Sequence, residues 1–551
     1  MLKKLFLLLI STAAITLAAN EPLLRVGSMS DTHVTRDISS CGILKDTFEL
    51  FKQHKVDLIL NSGDIADVYD AEAYRNYRNT FNTVFTDSAV KPQEIFAYAY
   101  HDVIGHQSND PWSAFKDVKR YLEATNNPYD IVKVKGYTFV VLPQYHEVRE
   151  YKKLLDTAEK MRDGKPFFIV DHVPLHNTVA VSLNGNSKAR ELVSRHPDAI
   201  HISGHNHSLL TNELNIWQGE FTAINAGFLH GSMVVKKTCD VAMVMDIYRD
   251  KIICKRFFTD SQKQYKSDAN WIIPLPFNKK TAPYSRENRL KNSVAPAFPA
   301  DAKITISQNT KGVTVRFPQA VKADDIYKYK LELLRNTDGK LHSFADYEIT
   351  GPFETGLLNV PTHPAYTFSI GYFDYGAKYQ VKVTPVHFSG RKGTPLETDF
   401  VVTAKSDAKV VFESRNPMNE CFATIGTTGK NDHKTVDAKV LHDGFYHIDG
   451  EKRTLRVYFP SHIWKSKTGG RVVIDAQVLQ GADRTIFFQM RCLEPRKFIP
   501  QRAYTTPGNI LKTRYVIEFN KLDRDDYNFY LNMKDGGKGR IKIDYIRIER
   551  Y

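Results

Sequence analysis

Between Leu24 and Trp271, short apolar runs alternate with amphipathic stretches, and most of the apolar runs end on polar residues. The run LLRVGSM precedes Asp31, and the run VDLILNSGD carries Asp64. Between them lies CGILKDTFELFKQHK, whose apolar residues recur at the three- and four-residue spacing of an amphipathic helix. This alternation predicts an α/β domain. Because sites in such domains form at one edge of the sheet, we expect the chemistry at the polar ends of the runs.

Five polar clusters follow the apolar runs. They are Asp31-Thr32-His33, Gly63-Asp64, Tyr100-His101-Asp102, His172-Val173-Pro174 and Gly204-His205-Asn206-His207. Divalent ions accept imidazole nitrogen and carboxylate oxygen, and one carboxylate can bridge two ions about 3.5 to 4 Å apart. If the backbone is extended, Asp31 and His33 point the same way, as do His205 and His207. Gly204 fits a tight turn that brings backbone close to such a site.

The order of these clusters resembles the motifs of the calcineurin-like metallophosphoesterases, which are D-x-H, G-D, G-N-H-[DE], H and G-H-x-H. The resemblance covers about residues 24 to 260. It implies a four-layer α/β/β/α domain and two divalent ions, with the choice among iron, zinc, manganese and magnesium left open. It also implies the ligands: Asp31, His33 and His207 for one ion, His172 and His205 for the other, and Asp64 as the bridge.

His101 stands in the family's Asn-His-Asp position. By resemblance it binds no metal; it hydrogen-bonds a phosphate oxygen and protonates the leaving group. Asp102 is then expected to orient His101 and to raise its pKa. The implied reaction is hydrolysis of a phosphomonoester or phosphodiester by attack of a metal-bound hydroxide. The alternative is a catalytically degenerate phosphoesterase scaffold that acts as a glycan- or surface-binding protein.

Tyr100 departs from the family pattern, because the chain has Ala99-Tyr100 where the family has Gly-Asn. The amide that would complete the second ion's ligands is therefore missing, and filling of the second site is in doubt. Three interpretations remain open. A water or a neighbouring side chain replaces the amide; the Tyr100 oxygen itself binds the ion, as a phenolate in one version; or the domain has lost hydrolase activity and only binds.

With 551 residues, the chain is long enough for about three domains. Residues 1–19 combine a basic start, an apolar run and small residues, so we predict a signal peptide and export to the periplasm or the medium. We predict a metallophosphoesterase domain over 20–275 and an ordered, Pro-rich linker with no helical or strand period over 276–300. A fibronectin type III-like β-sandwich over 301–405 and a jelly-roll-like β-sandwich over 406–551 follow.

Alternating apolar runs with turn residues between them indicate that both C-terminal regions are all-β. YQVKVTPVHFSGRKGTP resembles the last strands of fibronectin type III domains, and GRIKIDYIRIERY resembles the last strand of jelly-roll carbohydrate-binding modules. Trp464, many tyrosines and an excess of basic residues would suit carbohydrate binding by the last module. A sandwich core with solvated charge explains the same residues.

Other classes of protein lack support in the sequence. The motifs G-x-S-x-G, H-E-x-x-H and G-x-x-x-x-G-K-[ST] do not occur, and no pair of the five cysteines has Cys-x-x-Cys spacing. The net charge of +14 is spread along the chain and gives no specific signal for nucleic acid. No apolar segment is long enough to be a transmembrane helix. The expected partner is a phosphorylated small molecule or glycan.

Overall fold

The structure is a computed structural model. It describes residues 21–87, 91–108, 110–145, 147–230, 240–337, 339–353, 361–415, 417, 422–426, 434–435, 446–448, 454–458, 469–480, 486–492, 498–504, 513–519, 527–533 and 539–551. The predicted signal peptide lies outside these residues. Among the helices that are described, none is long and apolar enough to cross a membrane.

Two β-sheets form the centre of the first domain. The first sheet has the order β12-β11-β10-β1-β2-β3, with β13 also paired to β11, and the second has the order β4-β5-β6-β7-β9-β8. The strands are β1 (Leu24–Met29), β2 (Leu58–Asn61), β3 (Gln93–Phe96), β4 (Asp130–Val134), β5 (Tyr137–Val141), β6 (Phe167–Val170), β7 (Ala199–Ser203), β8 (Ile216–Gln218), β9 (Thr222–Asn225), β10 (Val241–Ile247), β11 (Lys251–Phe258), β12 (Lys263–Gln264) and β13 (Trp271–Pro274).

The two sheets pack face to face, with helices on both outer faces. Leu58 of the first sheet and Phe168 of the second belong to one buried cluster between the sheets. Separate buried clusters join the outer faces to the helices, through Phe48 on one side and Leu155 on the other. The helices are α1 (Gly42–Gln53), α2 (Ala71–Val84), α3 (Pro111–Tyr121), α4 (Val148–Met161), α5 (Ser187–Val193) and α6 (Arg286–Asn292). The predicted α/β/β/α arrangement is therefore confirmed.

The predicted linker contains a helix, although its sequence shows no helical period. Helix α6 lies within it, and the side chain of Ser285 caps the helix by accepting a hydrogen bond from the backbone N–H of Asn288. The preceding strand β13 pairs with β11 of the first sheet. Because α6 buries no residue completely, it leaves no helical pattern of apolar residues in the sequence. The Ser285 cap stabilises its first turn instead.

The region after residue 300 begins with seven described strands in two sheets, as the sequence predicted. One sheet has the order β14-β15-β18 and the other β17-β16-β19-β20, and both contribute to one core that includes Val313 and Val381. The strands are β14 (Thr305–Gln308), β15 (Gly312–Arg316), β16 (Ile326–Thr337), β17 (Lys340–Thr350), β18 (Ala365–Ser369), β19 (Lys378–His387) and β20 (Leu396–Val401). Its likeness to fibronectin type III domains stays a prediction.

The last region is also all-β in its described part. Five strands form the sheet that contains β21, β24, β26, β29 and β31, and six form the sheet ordered β23-β22-β25-β30-β27-β28. The strands are β21 (Lys409–Ser414), β22 (Phe422–Gly426), β23 (Lys434–Thr435), β24 (Tyr446–Ile448), β25 (Thr454–Tyr458), β26 (Gly470–Gln480), β27 (Ile486–Cys492), β28 (Phe498–Tyr504), β29 (Thr513–Phe519), β30 (Tyr527–Met533) and β31 (Gly539–Arg550). Trp464 lies outside the described residues.

Candidate metal centre

The parallel strands of both sheets bring the predicted site residues to one edge of each sheet. Strands β1, β2 and β3 are parallel, and Asp31, Asp64 and His101 follow their carboxyl ends. Strands β6 and β7 are parallel too, and His172 and His205 follow them. The carboxyl ends of parallel strands lie at one edge of a sheet, so residues distant in sequence meet there.

The first ligand group consists of Asp31, His33 and His207, whose potential ligand atoms lie within 4.8 Å of one another. The Nε2 atom of His207 is 3.0 Å from Oδ1 of Asp31 and 3.4 Å from Nε2 of His33. The ring of His207 also stacks on Phe228, with 5.6 Å between the centroids. This is the set that the family resemblance assigns to one ion.

The second ligand group consists of Asp64, His172 and His205, again within 4.8 Å. The Nε2 atom of His172 is 3.0 Å from Oδ2 of Asp64 and 3.2 Å from Nδ1 of His205. On its other side, Nδ1 of His172 is 2.8 Å from the carbonyl oxygen of Ser62. A ring nitrogen facing a carbonyl carries the proton, which leaves Nε2 to face the site. Asp64 lies in this group, and its role as a bridge stays a prediction.

The backbone reaches this geometry through left-handed conformations. Five of the six ligand residues have positive φ angles: Asp31 (51°), His33 (40°), Asp64 (52°), His205 (69°) and His207 (42°). The extended geometry considered from the sequence is therefore wrong, although the side chains do converge. Left-handed residues other than glycine cost about 1 kcal/mol or more each and persist where the surroundings hold them, typically at functional sites.

Two glycines allow the loops to approach this closely. A Cβ atom on Gly204 would lie 1.7 Å from Oγ of Ser30 and 2.6 Å from Oδ2 of Asp31. A Cβ on Gly63, whose φ is 100°, would lie 2.8 Å from Nδ1 of His172. Gly204 thus permits the close approach that the sequence predicted for it, whereas the same role of Gly63 was not foreseen.

The pKa values of the ionisable groups in the site depend strongly on the charges of their neighbours. For His172, burial opposes ionisation, yet Asp64 and Asp31 raise its pKa to about 10. Burial would raise the pKa of Asp64, but His172 lowers it overall. Burial lowers the pKa values of His33 and His205, which keeps both imidazoles in the neutral form that binds metal.

These residues fit a pair of divalent ions. Each group offers one carboxylate and two imidazoles, which is a ligand set suited to zinc, iron or manganese. Asp64 and Asp31 raise the pKa of His172, so these buried carboxylates favour a positive charge beside them. A bound metal ion would supply that charge in place of the proton.

His101 lies beside the first ligand group, with its ring centroid 4.8 Å from that of His33. Its Nδ1 atom is 2.5 Å from the carbonyl oxygen of Asp67, so Nδ1 carries the proton and Nε2 is directed elsewhere. Its backbone N–H donates to Oδ1 of Asp64 over 3.1 Å. His101 is half-buried, which allows it to meet a ligand from solvent.

Asp102 does not orient the ring of His101, and that part of the prediction was wrong. Its buried carboxylate accepts hydrogen bonds from the backbone N–H groups of Ile65 (3.1 Å), Ala66 (3.3 Å) and Ala99 (3.0 Å). Burial and the nearby Asp64 raise the pKa of Asp102 to about 7. Asp102 therefore ties the loop after Asp64 to the loop that carries His101, while the Asp67 carbonyl holds the imidazole.

Comparison with protein families gives one match to this part of the chain. Residues 24–209 match the family model described as calcineurin-like phosphoesterase. The N-terminal domain is a calcineurin-like phosphoesterase domain. The comparison with curated proteins gives no match.

Solved structures that are similar to parts of this chain include a dimetal phosphatase from Danio rerio. It is 11% identical, with a TM-score of 0.32, and the match covers 46% of this chain and 99% of that one. A purple acid phosphatase from yellow lupin is 10% identical, with a TM-score of 0.33, over 46% and 53% of the two chains. The CBM22-1 xylan-binding domain of Paenibacillus barcinonensis Xyn10C is 11% identical, with a TM-score of 0.17, over 26% and 95%. At these sequence identities and TM-scores, the ligands and substrates of these proteins are not assigned to this chain.

Tyr100 of the phosphoesterase domain points into solvent, with half of its side chain exposed. Its backbone N–H donates to Oε1 of Gln144 over 2.7 Å, and its ring lies 5.8 Å from that of His101. Gln144 thus places a neutral amide beside the position where the family has asparagine. None of the three interpretations of Tyr100 is decided by these contacts.

Sequence reasoning missed three residues that hold the site. Ser62 and Asp67 act through backbone carbonyls, which every residue has, so no sequence signal could have indicated them. The carboxylate of Asp67 also lies 3.5 Å from Nδ1 of His33, and its position three residues after Asp64 was an available hint. Gln144, at the end of the run YTFVVLPQ, follows a strand as the other site residues do.

Proposed function

We propose that this protein is an exported, metal-dependent phosphoesterase that hydrolyses a phosphomonoester or a phosphodiester. The observation that carries the proposal is the convergence of two carboxylate–imidazole groups beside His101. The family match of residues 24–209 supports the same reaction class. Export rests on the basic, apolar and small residues that begin the sequence.

The chain's residues divide the work of such a reaction. Asp31, His33 and His207 would hold one ion, and Asp64, His172 and His205 the other. When bound, such ions stabilise negative charge on the phosphate and make water more acidic. Because Nδ1 of His101 donates to the Asp67 carbonyl, Nε2 carries a proton only in the imidazolium form, and that form would donate it to a phosphate oxygen or to the leaving group.

The proposal is tested with protein loaded with each candidate metal. We expect hydrolysis of an aryl phosphate or a bis-aryl phosphodiester, and a loss of at least about 10³-fold in Asp64→Asn, because both the ligand charge and the His101 backbone contact are altered. His101→Ala should lower the rate by about 10²-fold or more. Asp156→Asn, on the exposed face of α4, is the matched control and should retain activity.

The rival is a degenerate scaffold that binds glycans or a surface. Elemental analysis separates the two, because such a scaffold should hold no metal in stoichiometric amount. If metal-loaded protein fails to turn over both aryl substrates and a broad panel of phosphate esters, the enzyme proposal is wrong. Glycan binding by residues 406–551 would then be the function to measure.

A further inference from the structure

Several large aromatic side chains are exposed together beside the metal centre. The aromatic patch consists of Tyr100, Trp112, Tyr129 and Tyr145. Tyr100 is 50% exposed, and Trp112 and Tyr145 are each 38% exposed. Large exposed rings normally occur singly on a protein surface, and a cluster of them marks a binding surface.

Three of the four rings of the aromatic patch are joined by ring contacts and rest on the domain core. Trp112 stacks on Tyr129, with 5.3 Å between centroids and 29° between ring planes. The buried ring of Phe115 lies 5.9 Å from Trp112 and 6.5 Å from Tyr145. Rings from three separate chain segments are therefore joined through one core residue.

Hydrogen bonds fix the segments that carry the patch. Trp112 lies in the first turn of α3, where its backbone N–H donates to the capping carboxylate of Asp110. The hydroxyl of Tyr129 accepts a hydrogen bond of 2.7 Å from the backbone N–H of Glu147. The Gln144 side chain holds the backbone of Tyr100. A surface held in this way loses little conformational entropy when a ligand binds.

The patch adjoins the phosphate-handling side of the site. The rings of Tyr100 and His101 lie 5.8 Å apart at 84°, and His101 contacts His33 of the first ligand group. Gln144, which holds the backbone of Tyr100, is the chain neighbour of Tyr145. An ester whose phosphate lies at His101 would therefore direct its organic group toward the patch.

Resting on the proposed function, we propose that the aromatic patch binds a planar aromatic ring in the organic group of the substrate. The phosphoesterase domain would then prefer esters that carry an aryl group or a nucleobase. Flat rings stack on tyrosine and tryptophan faces with specific geometry, whereas saturated groups of the same size gain only from burial. The metal ligands and His101 contact the phosphate alone, so the patch supplies the selectivity that they lack.

The test compares two esters that differ in planarity but not in size or in leaving-group chemistry. These are the benzyl and cyclohexylmethyl phosphates, used as monoesters or as methyl diesters according to which class is hydrolysed. We expect kcat/KM to favour the benzyl ester by about 10-fold. Trp112→Ala and Tyr145→Ala should each reduce that ratio, mainly through KM, and Trp112→Phe should retain most of it.

Tyr248→Ala is the matched control. Tyr248 follows β10 at the end that pairs with the start of β1, so it lies at the sheet edge opposite the ligands. Its removal should leave the ratio unchanged. Calorimetric titration with phenylphosphonate and cyclohexylphosphonate gives a second readout that needs no turnover, and the phenyl compound should bind more tightly only while the patch is intact.

The outcomes are distinguishable. Hydrolysis of both esters with equal kcat/KM, or a benzyl preference that survives loss of Trp112 and Tyr145, overturns the ring-binding proposal and leaves the proposed function standing. A protein that hydrolyses neither ester nor any other phosphate ester overturns the proposed function, and this inference falls with it.

Discussion

The two ligand groups have the same composition, but their surroundings differ. In the first group, Asp31 and His33 are buried and His207 is largely covered, with its ring stacked on Phe228. In the second group, His172 is completely buried, but His205 is exposed. The first group is thus more shielded from solvent than the second, which opens toward solvent through its third ligand.

The second group also adjoins the position where the family's amide is missing. His172 is held by the Ser62 carbonyl and Asp64 by the N–H of His101, so two of its three ligands are as well fixed as those of the first group. The third ligand, His205, and the residue in the amide position, Tyr100, are both exposed to solvent. Metal affinity depends on the number and orientation of the ligands, so we expect the first group to bind its ion more tightly.

The largest effect on metal binding should come from removing one imidazole, first from one ligand group and then, in a separate variant, from the other. His33→Ala should weaken binding of the tight ion by at least about 10²-fold, because a direct ligand is lost from a shielded site. His205→Ala should abolish only the weaker binding step. Titration against a competing chelator measures both steps. Equal losses, or loss of the tight step in His205→Ala, would show that the order of affinities is the reverse of that proposed.

Tyr100→Asn should reduce the difference in metal affinity between the two ligand groups. An added amide oxygen should strengthen binding at the second group by about 10- to 100-fold and raise the rate at limiting metal. Tyr100→Phe keeps the ring but adds no amide, so it serves as the control. Unchanged affinity in Tyr100→Asn would mean that another group, such as Gln144, already fills the position. A loss of the second ion in Tyr100→Phe would instead indicate that the phenol oxygen is a ligand.

Asp102→Asn tests the connection between the loop of the second group and the loop of His101. The carboxamide offers one acceptor oxygen, whereas the carboxylate of Asp102 uses both of its oxygens to accept from Ile65, Ala66 and Ala99. Near pH 4, where ionisation of the buried carboxyl does not itself destabilise the wild type, we expect a loss of about 1 to 3 kcal/mol in the free energy of unfolding of the first domain. If stability is unchanged and only the titration of His101 moves, the carboxylate acts on the imidazole after all.

The order of motifs was sufficient to predict the layers of the first domain and which residues meet. This worked because the carboxyl ends of β1, β2, β3, β6 and β7 are positioned by parallel pairing alone, so a strand assignment already places the residue that follows it. The grouping of Asp31 with His33 and His207 followed from the family resemblance, and the structure brings these residues together.

The features that were missed depend on contacts that no local pattern records. The left-handed backbone of His33 and His205 is held by the packed loops, since residues other than glycine seldom adopt it without such support. The contact of His101 with the Asp67 carbonyl joins residues 34 positions apart. Helix α6 depends on the Ser285 cap. The aromatic patch draws on four separate segments, and the Trp112–Tyr129 stack and the contacts of Phe115 join three of them.

Asp240→Asn should have the smallest effect, and it separates the pH response of the fold from that of the ligand groups. Burial and the nearby Asp260 raise the pKa of Asp240 to about 6 from 3.8. The folded state therefore binds this proton more tightly than the unfolded state does, and stability is lost as the pH rises from about 4 through about 6. Asparagine does not ionise, so the variant should lose about 1 to 3 kcal/mol less over this range than the wild type. Hydrogen exchange in peptides from β10 and β11 measures this for the first domain alone. If the free energy of unfolding depends on pH identically in both proteins, Asp240 is ionised throughout this range. The pH dependence that both proteins share would then come from the ligand groups.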